Sequence, residues 1–283
     1  MKQVVKLTGA KHLDQLELIQ ALRGLLQGEY ASLFHCVAVH GSVATDEIIP
    51  FSDFDGLLIL RSGKENSPEL QQFLRKSMKI IYEFDPLQHH SWFQIKEEQL
   101  HHYPQSYFPI ELLQECALIL PEDDCSLEIN PEQSTDYGQN FLALHQSLSN
   151  KIHRKFIPAN KYQLKSVLSE ILLLPCFFLQ AYLEKGVLKK ESFELIRTYF
   201  NPEELQPLHL ASEMRLRWER PALSSFQKYF LEHPQKKLHK MGEKWFAPAL
   251  NKQEKEIFNH DFMQELKKMI DCMKFKLIED GKL

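Results

Sequence analysis

The spacing of apolar residues changes once along this 283-residue chain, and that change limits the folds that the chain can adopt. Short β-prone runs alternate with helical segments in the first part, whereas apolar residues after residue 137 recur only at the helical period. The segment Asp123–Tyr137 between these parts is rich in Asp, Glu and Ser, contains Pro131 and shows little apolar periodicity. We therefore expect an α/β domain with a mixed sheet and helices at residues 1–125, a linker at 126–137, and an all-α helical-bundle domain at 138–283.

The periodicity also predicts the individual elements. Strands are predicted at Leu33–Val39, Phe51–Leu60, Leu87–Ile95 and Ala117–Leu120. In the same part of the chain, helices are predicted at Lys11–Tyr30, Glu69–Tyr82 and Ile110–Cys116. After the linker, helices are predicted at Leu142–Phe156, Lys161–Lys185, Ser192–Tyr199, Pro207–Trp218, Ala222–His233 and Gln253–Ile278.

Charge and composition exclude several classes of function. With 34 Lys and Arg against 38 Asp and Glu the net charge is -4, which argues against a nonspecific nucleic-acid binder. The longest apolar stretch, Ile171–Leu183, contains a proline and is too short to cross a bilayer, so it predicts a buried core helix and no membrane partner. The N-terminus lacks the pattern of a signal peptide, and the five cysteines suggest reduced, buried thiols. We expect a cytoplasmic protein.

The segment 39–60 carries the residues that point to chemistry. A predicted strand ends in Gly41-Ser42, and Asp53-Phe54-Asp55 then opens the next predicted strand. Residues i and i+2 of an extended chain face the same side, roughly 7 Å apart, so Asp53 and Asp55 are expected to present two carboxylates together. Carboxylate oxygens suit Mg²⁺ or Mn²⁺, while a Gly-Ser turn lets backbone N–H groups approach a phosphate closely.

This segment resembles the signature of the nucleotidyltransferase superfamily built on the DNA-polymerase-β palm, in which a Gly-Ser turn precedes Asp-x-Asp. It looks especially like the segments of bacterial small-molecule nucleotidyltransferases, among them aminoglycoside-modifying adenylyltransferases, which also carry a C-terminal helical domain. The resemblance implies that Gly41 and Ser42 contact the phosphates of an NTP and that Asp53 and Asp55 hold Mg²⁺ or Mn²⁺. It also implies transfer of NMP to a hydroxyl of a small-molecule acceptor.

The third acidic group of such sites is not evident in this sequence. Catalytic members of the superfamily usually add a carboxylate from a neighbouring strand, and the matching segment here, Leu87–Ile95, contains no acid. Asp85 lies just ahead of it, and His89 or His90 could serve as a base or metal ligand near neutral pH. The residues themselves leave these three candidates open.

Two lysines of the predicted helical domain are further candidate site residues. Lys161 and Lys165 lie one helical turn apart, and in the resembling enzymes basic residues near this position touch the triphosphate.

The missing acid also allows a second function, that of a catalytically silent nucleotide-binding module with a regulatory or antitoxin-like role. A transferase that modifies a protein acceptor is a further alternative, because negative charge disfavours RNA but not protein.

Overall fold

The computed structural model describes residues 2–132 and 136–283, and the chain forms two compact units. The first unit contains the chain up to residue 132 together with residues 221–247. The second unit contains residues 136–220 and 248–283. The first holds a mixed sheet with helices, and the second is helical, as the apolar spacing predicts.

The elements are numbered in chain order. The strands are β1 (Gln3–Leu7), β2 (Phe34–His40), β3 (Asp55–Leu60), β4 (Phe93–Lys96), β5 (Ala117–Leu120) and β6 (Cys125–Ile129). The helices are α1 (Glu17–Leu25), α2 (Gly41–Ala44), α3 (Pro68–Phe84), α4 (Ile110–Gln114), α5 (Tyr137–His153), α6 (Lys161–Leu183), α7 (Lys189–Leu195), α8 (Gln206–Leu216), α9 (Ser225–Leu231), α10 (Lys236–Met241), α11 (Lys252–Ile257) and α12 (His260–Glu279).

The main sheet of the first unit has the strand order β4-β3-β2-β5. Strand β2 pairs antiparallel with both β3 and β5, and β3 pairs parallel with β4. Alternate residues of the central strands enter two different cores: Val37 and Leu58 pack in the core that includes α1 and α3, whereas Ala38 and Leu57 pack in the core on the opposite face. Burial on both faces explains why β2 and β3 are almost wholly apolar.

Helix α3 covers one face of this sheet, and its start follows from the local sequence. The Ser67 hydroxyl accepts a hydrogen bond from the Leu70 amide at 3.1 Å, and Pro68 occupies the first helical position. Leu70 and Phe73 lie on the buried stripe of the helix. The helix is thus oriented against the strands that carry the candidate site.

The second unit is built around α6. By length and composition this helix could cross a membrane, but most of it is buried inside the unit, where it packs against α5, α7, α8 and α12. Pro175 lies within the helix. The expectation that Ile171–Leu183 forms a buried core helix is therefore confirmed.

The third predicted strand begins later than expected. Residues 87–92 form a turn and an irregular extended segment, and only Phe93–Lys96 pairs with β3. The Gln88 side chain binds the backbone of Phe54, so this part of the chain contacts the end of β3 through a side chain instead of through a strand ladder. The prediction of a strand from Leu87 was wrong for this reason.

Two strands were absent from the predictions. Strand β6 occupies part of the segment 126–137 that was predicted as a linker, and it pairs antiparallel with β1 near the N-terminus. Its buried Leu127 and Ile129 alternate with exposed polar residues, a strand pattern too short to stand out in a polar segment. Residues 133–135 of the predicted linker lie outside the described residues.

Residues 221–247 belong to the first unit, although the predicted domain ranges place them with the helical domain. The ring of His239 in α10 stacks on the ring of Tyr82 in α3, with centroids 3.9 Å apart. This contact joins residues far apart in the chain, and local periodicity carries no information about it.

Candidate functional site

The two halves of the Gly-Ser and Asp-x-Asp motif meet at the ends of β2 and β3. His40, the last residue of β2, pairs with Asp55, the first residue of β3. Gly41 follows with a φ of +65°, and a Cβ atom at this position would lie 2.9 Å from Asp55 Oδ2. Glycine is therefore favoured at position 41 for two reasons: the backbone is left-handed there, and a side chain would collide with the Asp55 carboxylate.

The turn after Gly41 is held by backbone hydrogen bonds. The amides of Thr45 and Glu47 donate to the carbonyls of Gly41 and Ser42 at 3.1 and 3.0 Å. A ring nitrogen of His12 lies 2.9 Å from the Val43 carbonyl. Ser42 is half-buried within the short helix α2, directly beside the Gly41–Asp55 contact.

Gln88 fixes the backbone between the two aspartates. Its Oε1 accepts a hydrogen bond from the Phe54 amide at 2.9 Å, and its Nε2 donates to the Phe54 carbonyl at 2.8 Å and to the His90 carbonyl at 3.0 Å. The side chain is only 2% exposed. Because Phe54 lies between Asp53 and Asp55, this clamp sets the backbone from which both carboxylates project. Gln88 was not among the predicted site residues, because an isolated glutamine carries no recognisable signal.

Among the three candidates for the third group, the structure brings His90 to Asp55. The distance between His90 Nε2 and Asp55 Oδ1 is 2.6 Å, and both side chains are partly exposed. Asp85 is buried at the end of α3, where its carboxylate accepts a hydrogen bond from the Leu87 amide at 3.2 Å. His89 is half-buried in the segment between Gln88 and His90.

An aromatic pair packs tightly behind Asp55. The rings of Phe54 and Trp92 meet edge to face with centroids 5.0 Å apart, and Trp92 Nε1 donates to the Ser77 hydroxyl at 3.0 Å. A Cβ atom at Gly56 would lie 2.4 Å from the Trp92 ring and 2.6 Å from the Phe54 ring. The glycine after Asp55 is thus required by packing, which no sequence pattern indicated.

The His40 side chain is buried next to Asp55. Its ring lies against Phe93 and Phe108, with centroids 5.4 and 5.1 Å away, and its Nε2 has no hydrogen-bond partner among the described residues. Burial lowers the pKa of His40, and the nearby Asp55 opposes this shift only in part. His40 is therefore a neutral ring in the folded protein at neutral pH.

The lowered pKa of His40 predicts acid-sensitive stability. The unfolded chain binds a proton at His40 below about pH 6.5 while the folded protein does not, so the free energy of unfolding should fall as the pH drops from 6.5 towards the lower folded pKa. His40→Phe should flatten this dependence, by about 1.4 kcal/mol for each unit of pKa difference. Urea unfolding between pH 5 and 8 in EDTA would measure it. The exposed-site variant His102→Asn should keep the wild-type slope, and an unchanged slope in His40→Phe would contradict the assignment.

The donor set suits a cation that arrives with a phosphate. The described residues contain no group of three or more His, Cys, Asp or Glu side chains arranged to hold a metal ion. Mg²⁺ is commonly bound through one or two protein carboxylates, with waters and substrate phosphates as its other ligands. Asp53 and Asp55 supply two carboxylates of this kind, and that of Asp55 lies beside the Gly41 turn.

The two predicted basic residues are engaged within the second unit. Lys161 Nζ lies 2.7 Å from Glu254 Oε1 and 4.8 Å from the centre of the Trp218 ring. Lys165 has no exposed surface. The ammonium group of Lys161 is thus paired within the second unit. Comparison with known proteins gives no match, either to a protein-family model or to a curated protein sequence.

Proposed function

We propose that this chain is a metal-dependent nucleotidyltransferase of the polymerase-β palm type. It transfers NMP from an NTP to a hydroxyl of a small-molecule acceptor and releases pyrophosphate. The observation that carries the proposal is the position of Asp55: one carboxylate oxygen approaches Gly41, and the other binds His90 at 2.6 Å. A carboxylate, a glycine turn beside it and a base are parts that such a reaction needs. We place this activity in the cytoplasm, consistent with the free cysteines.

The proposed roles follow from the chemistry of each residue. Gly41 and Ser42 bind the terminal phosphates through backbone N–H groups and the Ser42 hydroxyl. Asp53 and Asp55 hold Mg²⁺ or Mn²⁺, which neutralises phosphate charge when it is bound. Gln88 positions both aspartates through the Phe54 backbone. This arrangement contributes mainly by orientation and electrostatics, as is typical of phosphoryl transfer.

His90 is the proposed general base. The acceptor oxygen forms a bond to the α-phosphorus, the bond to pyrophosphate breaks, and the hydroxyl proton passes to the imidazole. With Nε2 directed at Asp55 Oδ1, the proton acceptor in this proposal is Nδ1, and Asp55 stabilises the imidazolium that forms.

One observation favours a second candidate, the catalytically silent nucleotide-binding module. The segment Leu87–Ile95, where the resemblance implies a third carboxylate, contains no acid. Such a protein would bind Mg-NTP without releasing pyrophosphate. If the protein is instead an active transferase, pyrophosphate release measured with small-molecule and with protein acceptors would show which class of acceptor it uses.

Removal of the paired carboxylates tests the proposed metal-dependent binding. We expect NTP to bind much more tightly with Mg²⁺ than in EDTA, because two carboxylates repel a triphosphate until a cation lies between them. Asp53→Asn/Asp55→Asn should weaken Mg-NTP binding at least tenfold, about 1.4 kcal/mol, as measured by calorimetry. The double variant Asp123→Asn/Asp124→Asn makes the same charge change at exposed positions and should bind like wild type. Metal-dependent binding that survives in Asp53→Asn/Asp55→Asn would remove these residues from the site.

A further inference from the structure

A helical hairpin in the first unit exposes several large apolar side chains. It comprises α9, α10 and the turn Gly242–Phe246 that follows α10. Phe226 and Tyr229 are each 59% exposed and Trp245 is 66% exposed, and Met241 is exposed as well. Single exposed apolar residues are common on protein surfaces, but four within one short hairpin indicate an interaction surface.

The aromatic rings of the hairpin form one continuous cluster. Phe226 contacts Phe246 with ring centroids 4.9 Å apart, and Phe230 lies 4.5 Å from Phe246 and 5.2 Å from Phe226. Tyr229 lies edge to face with Phe230 at 5.1 Å. Trp245 is adjacent in sequence to Phe246. Phe226, Tyr229, Phe230 and Phe246 are therefore parts of a single apolar patch, and Trp245 and Met241 are exposed on the same hairpin.

The hairpin holds this patch on a defined scaffold. A Cβ atom at Gly242 would lie 2.9 Å from the Phe230 backbone, so glycine lets the turn cross α9 closely. Gln227 Nε2 donates to the Phe246 carbonyl at 2.9 Å, and His239 Nδ1 lies 2.7 Å from the Leu231 carbonyl. The stacking of His239 on Tyr82 joins the hairpin to α3. The exposure of the aromatic rings thus belongs to a packed structure.

The charge of the hairpin differs from that of the whole protein. Residues 225–246 contain five lysines, no arginine and two glutamates, whereas the chain carries a net charge of -4. Lys228, Lys236, Lys237, Lys240 and Lys244 are all exposed. Lys244 Nζ lies 4.7 Å from the centre of the Trp245 ring. The hairpin that carries the apolar patch is consequently positively charged.

This composition matches a lipid surface better than a protein partner. Protein interfaces are enriched in arginine and depleted in lysine. Peripheral membrane-binding elements combine Trp, Tyr or Phe at headgroup level with lysines that attract anionic lipids. We propose that the hairpin of residues 225–246 docks this protein on an anionic bilayer surface, with the aromatic cluster inserted at headgroup level and the lysines facing lipid phosphates and carboxylates.

Docking through the hairpin does not depend on the proposed nucleotidyltransferase activity, and it is an alternative to the expectation of no membrane partner. That expectation rested on the lack of a segment long enough to cross a bilayer, which does not report on a local surface patch. Docking of this kind is peripheral and salt-sensitive, because its electrostatic part is screened within a Debye length.

Tryptophan fluorescence offers a selective test. The chain has three tryptophans, of which Trp92 and Trp218 are buried, so the exposed Trp245 reports on the hairpin. We expect vesicles of phosphatidylcholine with about one third phosphatidylserine to shift its emission to the blue, and brominated lipids to quench it. Vesicles of phosphatidylcholine alone should bind at least tenfold more weakly, and added salt should release the protein.

Matched variants distinguish binding through the hairpin from nonspecific adsorption to the vesicles. Two variants should each reduce co-sedimentation with the anionic vesicles at least tenfold. One removes lysine charge (Lys236→Gln/Lys237→Gln/Lys240→Gln), and the other removes aromatic rings (Phe226→Ala/Tyr229→Ala). The matched controls change exposed lysines and an exposed aromatic residue outside the hairpin: Lys252→Gln/Lys255→Gln/Lys268→Gln and Phe275→Ala. Both controls should bind the vesicles like wild type. Circular dichroism would verify that each variant is folded.

Two results would overturn the proposal. One is wild-type protein that neither sediments with anionic vesicles nor changes its Trp245 emission. The other is vesicle binding that both hairpin variants retain. If the protein self-associates in solution and Phe226→Ala/Tyr229→Ala makes it monomeric without vesicle binding in the wild type, the patch is an interface between copies of the chain.

Discussion

Replacing His90 by glutamine should lower pyrophosphate release by roughly two to four powers of ten while leaving Mg-NTP affinity within a few-fold of wild type. Glutamine can still donate a hydrogen bond to Asp55, but it cannot take up the proton of the attacking hydroxyl. Loss of a general base falls on the chemical step, so the effect should appear in turnover and not in nucleotide binding. Hydrolysis of α-labelled NTP to NMP, with water as acceptor, allows the measurement before the natural acceptor is known.

Four further variants sharpen this experiment. His102→Gln makes the same change at an exposed histidine and should retain full turnover. His90→Ala should regain part of its activity when free imidazole is added, as expected for a proton-transfer role. Asp85→Ala and His89→Ala test the other two candidates for the third group. Full turnover in His90→Gln, together with a large loss in either of the others, would assign the base elsewhere. Wild-type protein that binds Mg-NTP but never releases pyrophosphate with water, hydroxyl or protein acceptors would favour the silent module.

Gly56→Ala should destabilise the first unit by about 3 kcal/mol. The added Cβ would lie 2.4 Å from the Trp92 ring and 2.6 Å from the Phe54 ring, far inside van der Waals contact. Both rings are buried, and Trp92 is held by its hydrogen bond to Ser77, so neither can move without loss of packing. Because Gly56 follows Asp55, we also expect weaker Mg-NTP binding. Urea unfolding followed by circular dichroism measures the stability change.

Gly24 provides the matched control for this substitution. It lies exposed in α1, and a Cβ atom there would meet nothing within 4 Å. Gly24→Ala should therefore leave stability unchanged or raise it by about 0.5–1 kcal/mol, because alanine is the better helix former. Equal stability of the two variants would contradict the packing described around Gly56.

Regular elements with a strong apolar period could be predicted from the sequence. Helix α6 starts at the predicted Lys161, and β5 has the predicted bounds, because long or continuous apolar segments have few alternative ways to be buried. The predicted first helix, Lys11–Tyr30, is instead divided into a 3-10 turn, α1 and a π turn. The predicted last helix is divided where the Asn259 side chain accepts from the Phe262 amide at 3.0 Å. Capping of this kind competes with periodicity, and a single sequence does not show which one prevails.

The sequence by itself determined the division into a sheet-containing part and a helical part, since apolar spacing dictates which surfaces can be buried. It also supplied the candidate residues Gly41, Ser42, Asp53 and Asp55, because a glycine turn and alternating carboxylates are local patterns. Only the tertiary structure decided which distant groups complete the site: His90 beside Asp55 and Gln88 across Phe54. These choices, like the return of residues 221–247 to the first unit, depend on contacts between segments far apart in the chain. Such contacts arise from the packing of the whole unit, and the local pattern of residues does not encode them.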